Sequence, residues 1–178
     1  MSVTPSASPL SVSQIVRNFA PGWFAAVMGS AIRIVGGWIS DKWGGINSLT
    51  LVFIGVIVLM LLLSGAPSLT ATTGLFMICF AFLGMGNGSL FQLVPLRWPT
   101  TTAVAGSMIG EIGALGGAFI PNAMGLSKQY SGSFAYGFIA FTLLSAIIFL
   151  FMRLAQRRWT QTWVGKGGKA LSEAKTVY

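Results

Sequence analysis

Histidine is absent, cysteine occurs once, and only three acidic residues stand among 178. Each shortage closes a class of chemistry. Cys79, alone and inside an apolar block, leaves no partner within one chain for a disulfide or a thiolate metal site. Asp41, Glu111 and Glu173 lie far apart, so no paired-carboxylate site, zinc site or Ser-His-Asp triad can be assembled from them. The reading is therefore a non-enzyme, with no catalytic residue, no metal and no cofactor. Charge is scarce as well: 8% of residues are charged and 54% are apolar, where a soluble domain carries roughly a quarter charged residues. Eleven basic and three acidic side chains cannot clothe a soluble fold of this length.

The apolar residues fall in blocks long enough to cross a bilayer. Five read as transmembrane helices: about Phe19–Ile39, Ile46–Ala66, Ala71–Pro95, Thr102–Gly125 and Ser133–Arg153. Each holds enough residues for a hydrocarbon core of about 30 Å at a rise of about 1.5 Å per residue. Turn-forming residues separate them at Asp41–Gly45, Ala66-Pro67-Ser68, Arg97–Thr100 and Ser127–Gln129. The expected fold is all-α and integral to the membrane, with about five transmembrane helices. A polar segment at 1–18 precedes the spans, the helical region occupies 19–153, and a basic tail fills 154–178. Residues 1–14 are polar and rich in Ser and Pro, unlike the basic start and apolar core of a secretory signal.

The net charge of +8 sits mostly beyond the last span, at Arg153, Arg157, Arg158, Lys166, Lys169 and Lys175. A juxtamembrane basic tail is what the positive-inside bias produces at a cytoplasmic terminus, and no base-reading motif argues for nucleic acid. With five spans and the C-terminus inside, the inner side also holds Lys42 and Arg97, against Arg17 and Lys128 outside. The expected location is the inner (plasma) membrane, multi-pass, with the lipid bilayer as surroundings. An odd span count without an internal repeat is unusual for a transporter built of paired repeats, so a piece of something larger is expected.

Three stretches carry chemistry. In the fourth span Gly106, Gly110, Gly113 and Gly117 lie within about 60° of one another on one helix face. Such a face either packs closely on another backbone or offers bare backbone to a small ligand. Glu111 stands roughly 130° around the same helix, in line with Ser107 and Asn122. A carboxylate near mid-depth is expensive, which makes Glu111 a candidate for ion or proton coupling or else for a structural hydrogen bond. In the third span Gly84, Gly88, Phe91 and Pro95 share a face flanked by Asn87 and Gln92. Amide donors and a ring edge there suit a small planar anion, and an aromatic packed into a glycine gap is the alternative. Between the first two spans runs Gly37-Trp38-Ile39-Ser40-Asp41-Lys42-Trp43-Gly44. An Asp in such a turn can accept from helix N-terminal amides or from a basic partner.

That last stretch resembles the G-x-x-x-D-R/K-x-G loop of the major facilitator superfamily. RIVGGWISDKWGG from Arg33, GMGNGSLFQLVP from Gly84 and GEIGALGGAFIPNAMG from Gly110 together resemble the nitrate/nitrite porter (NarK-type) branch, in that family's order over helices eight to twelve. The resemblance implies a partial major facilitator fold and transport of nitrate or nitrite by alternating access between two six-helix halves, with the missing N-terminal half as partner. It places Gly110, Gly113, Gly116 and Gly117 in a glycine signature and Phe91 as an aromatic stacking on the anion with Asn87 nearby. Gly37, Asp41, Lys42 and Gly44 become a conformational loop. It also implies that the substrate-binding arginines lie on helices outside this stretch, and that Arg33 belongs to the loop and snorkels to the cytoplasmic interface. Glu111 departs from the small residue expected at its position. The expected function is a nitrate/nitrite transporter segment that is inactive alone. The rival readings are a non-transporting membrane interaction subunit, or a major facilitator segment for another small anion.

Overall fold

The computed structural model describes the backbone at residues 12–65, 67–160 and 162–171, and side chains within those ranges from Val27 onward. Five helices follow one another: α1 Val12–Trp43, α2 Gly45–Ser64, α3 Leu69–Arg97, α4 Thr102–Ser131 and α5 Ala135–Trp159, and then a short 3-10 turn at Lys166–Gly168. No strand occurs among the described residues. Among the described residues four helices, α2 to α5, are long and apolar enough to cross a membrane. α1 is not among those four; it carries Arg33 within it and Asp41 and Lys42 at its end.

The helix breaks are set by backbone chemistry. α1 runs through Asp41, Lys42 and Trp43 without a break, and one residue, Gly44 at φ 97°, turns the chain into α2. That left-handed conformation is open to glycine and costly for a residue with a Cβ. α4 continues through Ser127–Gln129, where the sequence reading placed a loop, and ends on Gly132 in the left-handed region. Serine hydroxyls explain the shift. Ser127 Oγ donates to the Ser133 carbonyl and accepts from the Gly137 amide, so polar groups of the α4–α5 turn are satisfied beyond the expected end. The Ala66 break and the polar start at 1–11 lie outside the described residues.

α1 and α3 run parallel and meet almost backbone to backbone. A Cβ added at Gly88 would strike the Arg33 carbonyl and stand 2.7 Å from the Gly37 amide nitrogen, and one at Gly36 would stand 2.5 Å from Met85 Cα. Ser40 Oγ donates to Ser89 Oγ at 2.6 Å across the same seam, both side chains fully buried. α2 lies against α3 and α5, burying Val52, Val56, Leu59 and Leu63. α4 touches α3 and α5 lightly and has no buried residue. The bundle therefore has a tight side and an open side. At the end where α1, α3 and α5 finish, the chain folds back after α5, and Val164 joins Ile46 and Leu93 in a small core.

Candidate functional site

The third-span glycines divide by partner. Gly84 and Gly88 face the backbone of α1, and Gly86 faces Val52 of α2. Their space is taken by neighbouring helices, so they act here as packing residues. Phe91 lies one turn further along α3, half-buried, and the Arg33 guanidinium carbon sits 4.8 Å from its ring centroid. The face of an aromatic ring carries negative potential and holds a cation at such a distance. From the other side comes α4: a Cβ added at Gly106 would stand 3.5 Å from Phe91 Cε1. Three helices thus converge on one ring, with a cation from α1 and bare backbone from α4.

The sequence reading puts Arg33 with the loop, snorkelling toward the cytoplasmic interface, and names no neighbour for it. Its exposed side chain lies over Phe91, one turn beyond Gly88 toward the end that carries Lys42 and Arg97. Its guanidinium makes no ion pair among the described residues, so its N–H donors are not committed to a carboxylate.

The other predicted residues fall in several places. Asn87 is exposed and lines a cleft of about 730 Å³ between α2, α3 and α5, alongside Val56, Leu83 and Ser145. Phe91 does not line that cleft, so the structure separates the two by one turn of helix. Gly110, Gly113 and Gly117 continue the face that meets Phe91 at Gly106. They are exposed, and a Cβ at any of them, or at the half-exposed Gly116, would meet nothing within 4 Å. Glu111 is also exposed and has no hydrogen bond or ion pair among the described residues. Ser107 and Asn122, on its stripe, bond back to the carbonyls of Ala103 and Ala118 in their own helix.

In the loop, Gly37 abuts Gly88, and Lys42 Nζ lies 3.9 Å from the Trp38 ring centroid. Asp41 is exposed and joins neither a helix terminus nor a basic side chain among the described residues. The loop therefore works as a seam and a turn in this structure. No group of His, Cys, Asp and Glu able to hold a metal occurs among the described residues.

Among the described residues the chain is all-α, with four helices long and apolar enough to cross a membrane, the make-up of a multi-pass membrane protein. Its relatives narrow the class further. The chain is 30% identical over 134 residues to the nitrite extrusion protein of Bacillus subtilis (strain 168), covering 74% of this chain and 34% of that protein. It is 32% identical over 139 residues to the nitrate/nitrite transporter NarU of Escherichia coli (strain K12), covering 62% of this chain and 30% of that one. A probable nitrate/nitrite antiporter of Thermus thermophilus is 28% identical over 145 residues, covering 70% and 32%. The chain spans about a third of the length of the curated relatives it matches. No family model and no solved structure matches it.

Proposed function

We propose that this chain is the C-terminal helical part of a nitrate/nitrite transporter, a partial major facilitator fold that supplies half of an anion site. The observation that carries the reading is Arg33 over Phe91 beside the glycine face of α4. Nitrate and nitrite are small, planar and singly charged. A guanidinium offers parallel N–H donors to two oxygens of such an anion and keeps its charge at any working pH. The ring holds that cation from below without neutralising it. Glycine backbone on α4 lets an anion or a facing helix approach where a side chain would block it. The similarity to proteins named as nitrate and nitrite transporters supports the choice of substrate.

In this reading the site is completed by a partner carrying the N-terminal half, and the 178-residue chain alone moves no nitrate. The proposed setting is the inner membrane, with the end bearing Lys42, Arg97 and the C-terminal lysines in the cytoplasm. The experiment is nitrate uptake by the assembled transporter with Arg33→Lys and Arg33→Gln. Loss of a hydrogen-bonded charge should weaken apparent nitrate affinity roughly 10- to 100-fold in the Gln variant. The Lys variant, with charge but no planar fork, should fall between. Uptake unchanged in both variants overturns the site. Uptake by the purified chain alone, above that of empty liposomes, overturns the half-site.

A second reading, a non-transporting membrane subunit, draws on the absence of any buried residue in α4. A helix that leaves most of its surface open is what a subunit would offer to a larger protein. Copurification with a partner that shows no anion uptake in the joint assembly would favour it over transport.

A further inference from the structure

After α5 the chain does not simply leave the bundle. Thr162 and Trp163 donate their amides back to the Trp159 carbonyl at 3.1 and 3.4 Å, and Gly165 and Lys169 close a second turn at 2.8 Å. Val164, with no exposed surface, packs between Ile46 of α2 and Leu93 of α3. Gly167 and Gly168, at φ 75° and 87°, lie buried against Gly44, Ile46 and Asn47. A Cβ at Gly168 would stand 2.5 Å from the Ile46 amide nitrogen, and one at Gly44 would collide with the Gly167 carbonyl. Segment 162–171 is therefore a strap pinned across the α1–α2 turn.

Pinning two glycines fixes the two lysines beside them. Lys166 and Lys169 are exposed, and the Lys169 stem lies against Gly44, two residues from Lys42. Arg97 closes α3 at the same end, its guanidinium carbon 5.6 Å from the Trp98 ring and 5.7 Å from that of Trp163 in the strap. Arg157 and Arg158 close α5. Against these six exposed cations the described side chains of this end set one acid, Asp41. At the opposite end the described side chains hold one cation, Lys128. Trp38, Trp43 and Trp98 stand exposed among the cations, 59%, 62% and 43% accessible, where indoles favour the headgroup level of a bilayer.

We propose that the strap makes this end a preorganised docking surface for anionic phospholipid headgroups. The proposal requires the chain to sit in a membrane and does not depend on what it transports. Charge complementarity selects the partner: held lysines beside arginines and indoles match a plane of phosphates at the interface, where each basic residue adds to attraction within a Debye length. The fixed backbone distinguishes the proposal from a loose basic tail, because the lysines stay on the surface only while Gly167 and Gly168 stay seated.

Indole fluorescence provides the readout, since five of the six tryptophans lie at this end. The full chain is placed in phosphatidylcholine vesicles carrying either phosphatidylglycerol or phosphatidylcholine brominated near the headgroup. Brominated phosphatidylglycerol should quench preferentially, and the preference should fade as salt rises. Lys166→Gln and Lys169→Gln should each lower it about fivefold. Gly168→Val removes no charge and should lower it as much as both together, by unseating the strap. If Gly168→Val loses its helical circular dichroism, Gly167→Ala takes its place with the same expectation. Equal quenching by the two lipids overturns the proposal, and so does full preference retained in a folded strap variant. Displacement of the brominated lipid by millimolar soluble phosphate would assign the site to free anions and overturn it as well.

Discussion

Two helices of this bundle carry the same device in opposite surroundings. α3 has Gly84 and Gly88 four residues apart, and α4 has Gly106 and Gly110, then Gly113 and Gly117, at the same spacing. On α3 the space above the glycines is filled by the backbone of α1. On α4 it is empty from Gly110 onward. Spacing alone, then, reports that a helix has a bare face, and the rest of the bundle decides what covers it. The closed seam brings Arg33 to Phe91 and buries the Ser40–Ser89 hydrogen bond. The open face begins at that same ring, at Gly106. One side of the candidate site is thus packed within the chain, and on the other the glycine face of α4 stands open.

The comparison breaks most sharply at Gly88. Its added methyl would meet the Arg33 carbonyl and the Gly37 amide, which are backbone and cannot rotate aside. Gly88→Ala should therefore cost about 3 kcal/mol or more, at the upper end for overpacking, and shift Arg33 off Phe91. Reversible unfolding of the chain in mixed micelles measures the cost. A smaller loss is expected at Ser40. Ser40→Ala removes one buried donor while Ser89 keeps its bond to the Met85 carbonyl at 2.8 Å, so about 1 kcal/mol should go. Gly113→Ala should have the opposite sign. With nothing near its Cβ, the gain in helix propensity should stabilise the isolated chain by up to about 1 kcal/mol. If the chain is half of a transporter, as proposed, the same methyl should weaken association of the halves. A Gly113→Ala chain that is destabilised alone would mean that α4 is covered in the isolated chain after all.

Much of this was legible before any coordinates. The apolar blocks at 46–66, 71–95, 102–125 and 133–153 became α2 to α5, because length and hydropathy dominate when the surroundings are lipid. Helix ends were less legible. Gly125 is followed by six more helical residues, since serines at 127 and 131 satisfy polar groups that periodicity ignores. At the site, Phe91 was readable as an aromatic beside glycines, and the ring was not named as the neighbour of Arg33 because that depends on which helix α1 lies against. That is a tertiary fact no spacing encodes. The strap was missed for a related reason. The Gly-Lys-Gly-Gly run reads only as part of a basic tail, and the packing of Val164 beneath α2 gives the positive φ values at Gly167 and Gly168 a role.

The finest division concerns Glu111, on the open helix but off its glycine face. In the isolated chain its side chain is exposed and unpartnered, so Glu111→Gln removes nothing that the bundle uses. A carboxylate without a partner at that depth is costly, so the neutral amide should leave stability unchanged or raise it. The assembled transporter tests more, under the hypothesis that Glu111 carries a coupling proton there. Glutamine keeps the shape and the hydrogen-bonding groups of a neutral carboxyl and cannot release a proton. Proton-driven nitrate uptake should then fail, while nitrate/nitrite exchange, which needs no net proton, continues at its original rate. A structural Glu111 gives a different pattern: both modes survive, or both fall together as the halves dissociate. Measuring the two modes side by side separates these outcomes, and proton-driven uptake unchanged in the Gln variant ends the coupling hypothesis. Arg33 provides the internal control, because Arg33→Gln should depress both modes alike by weakening anion binding.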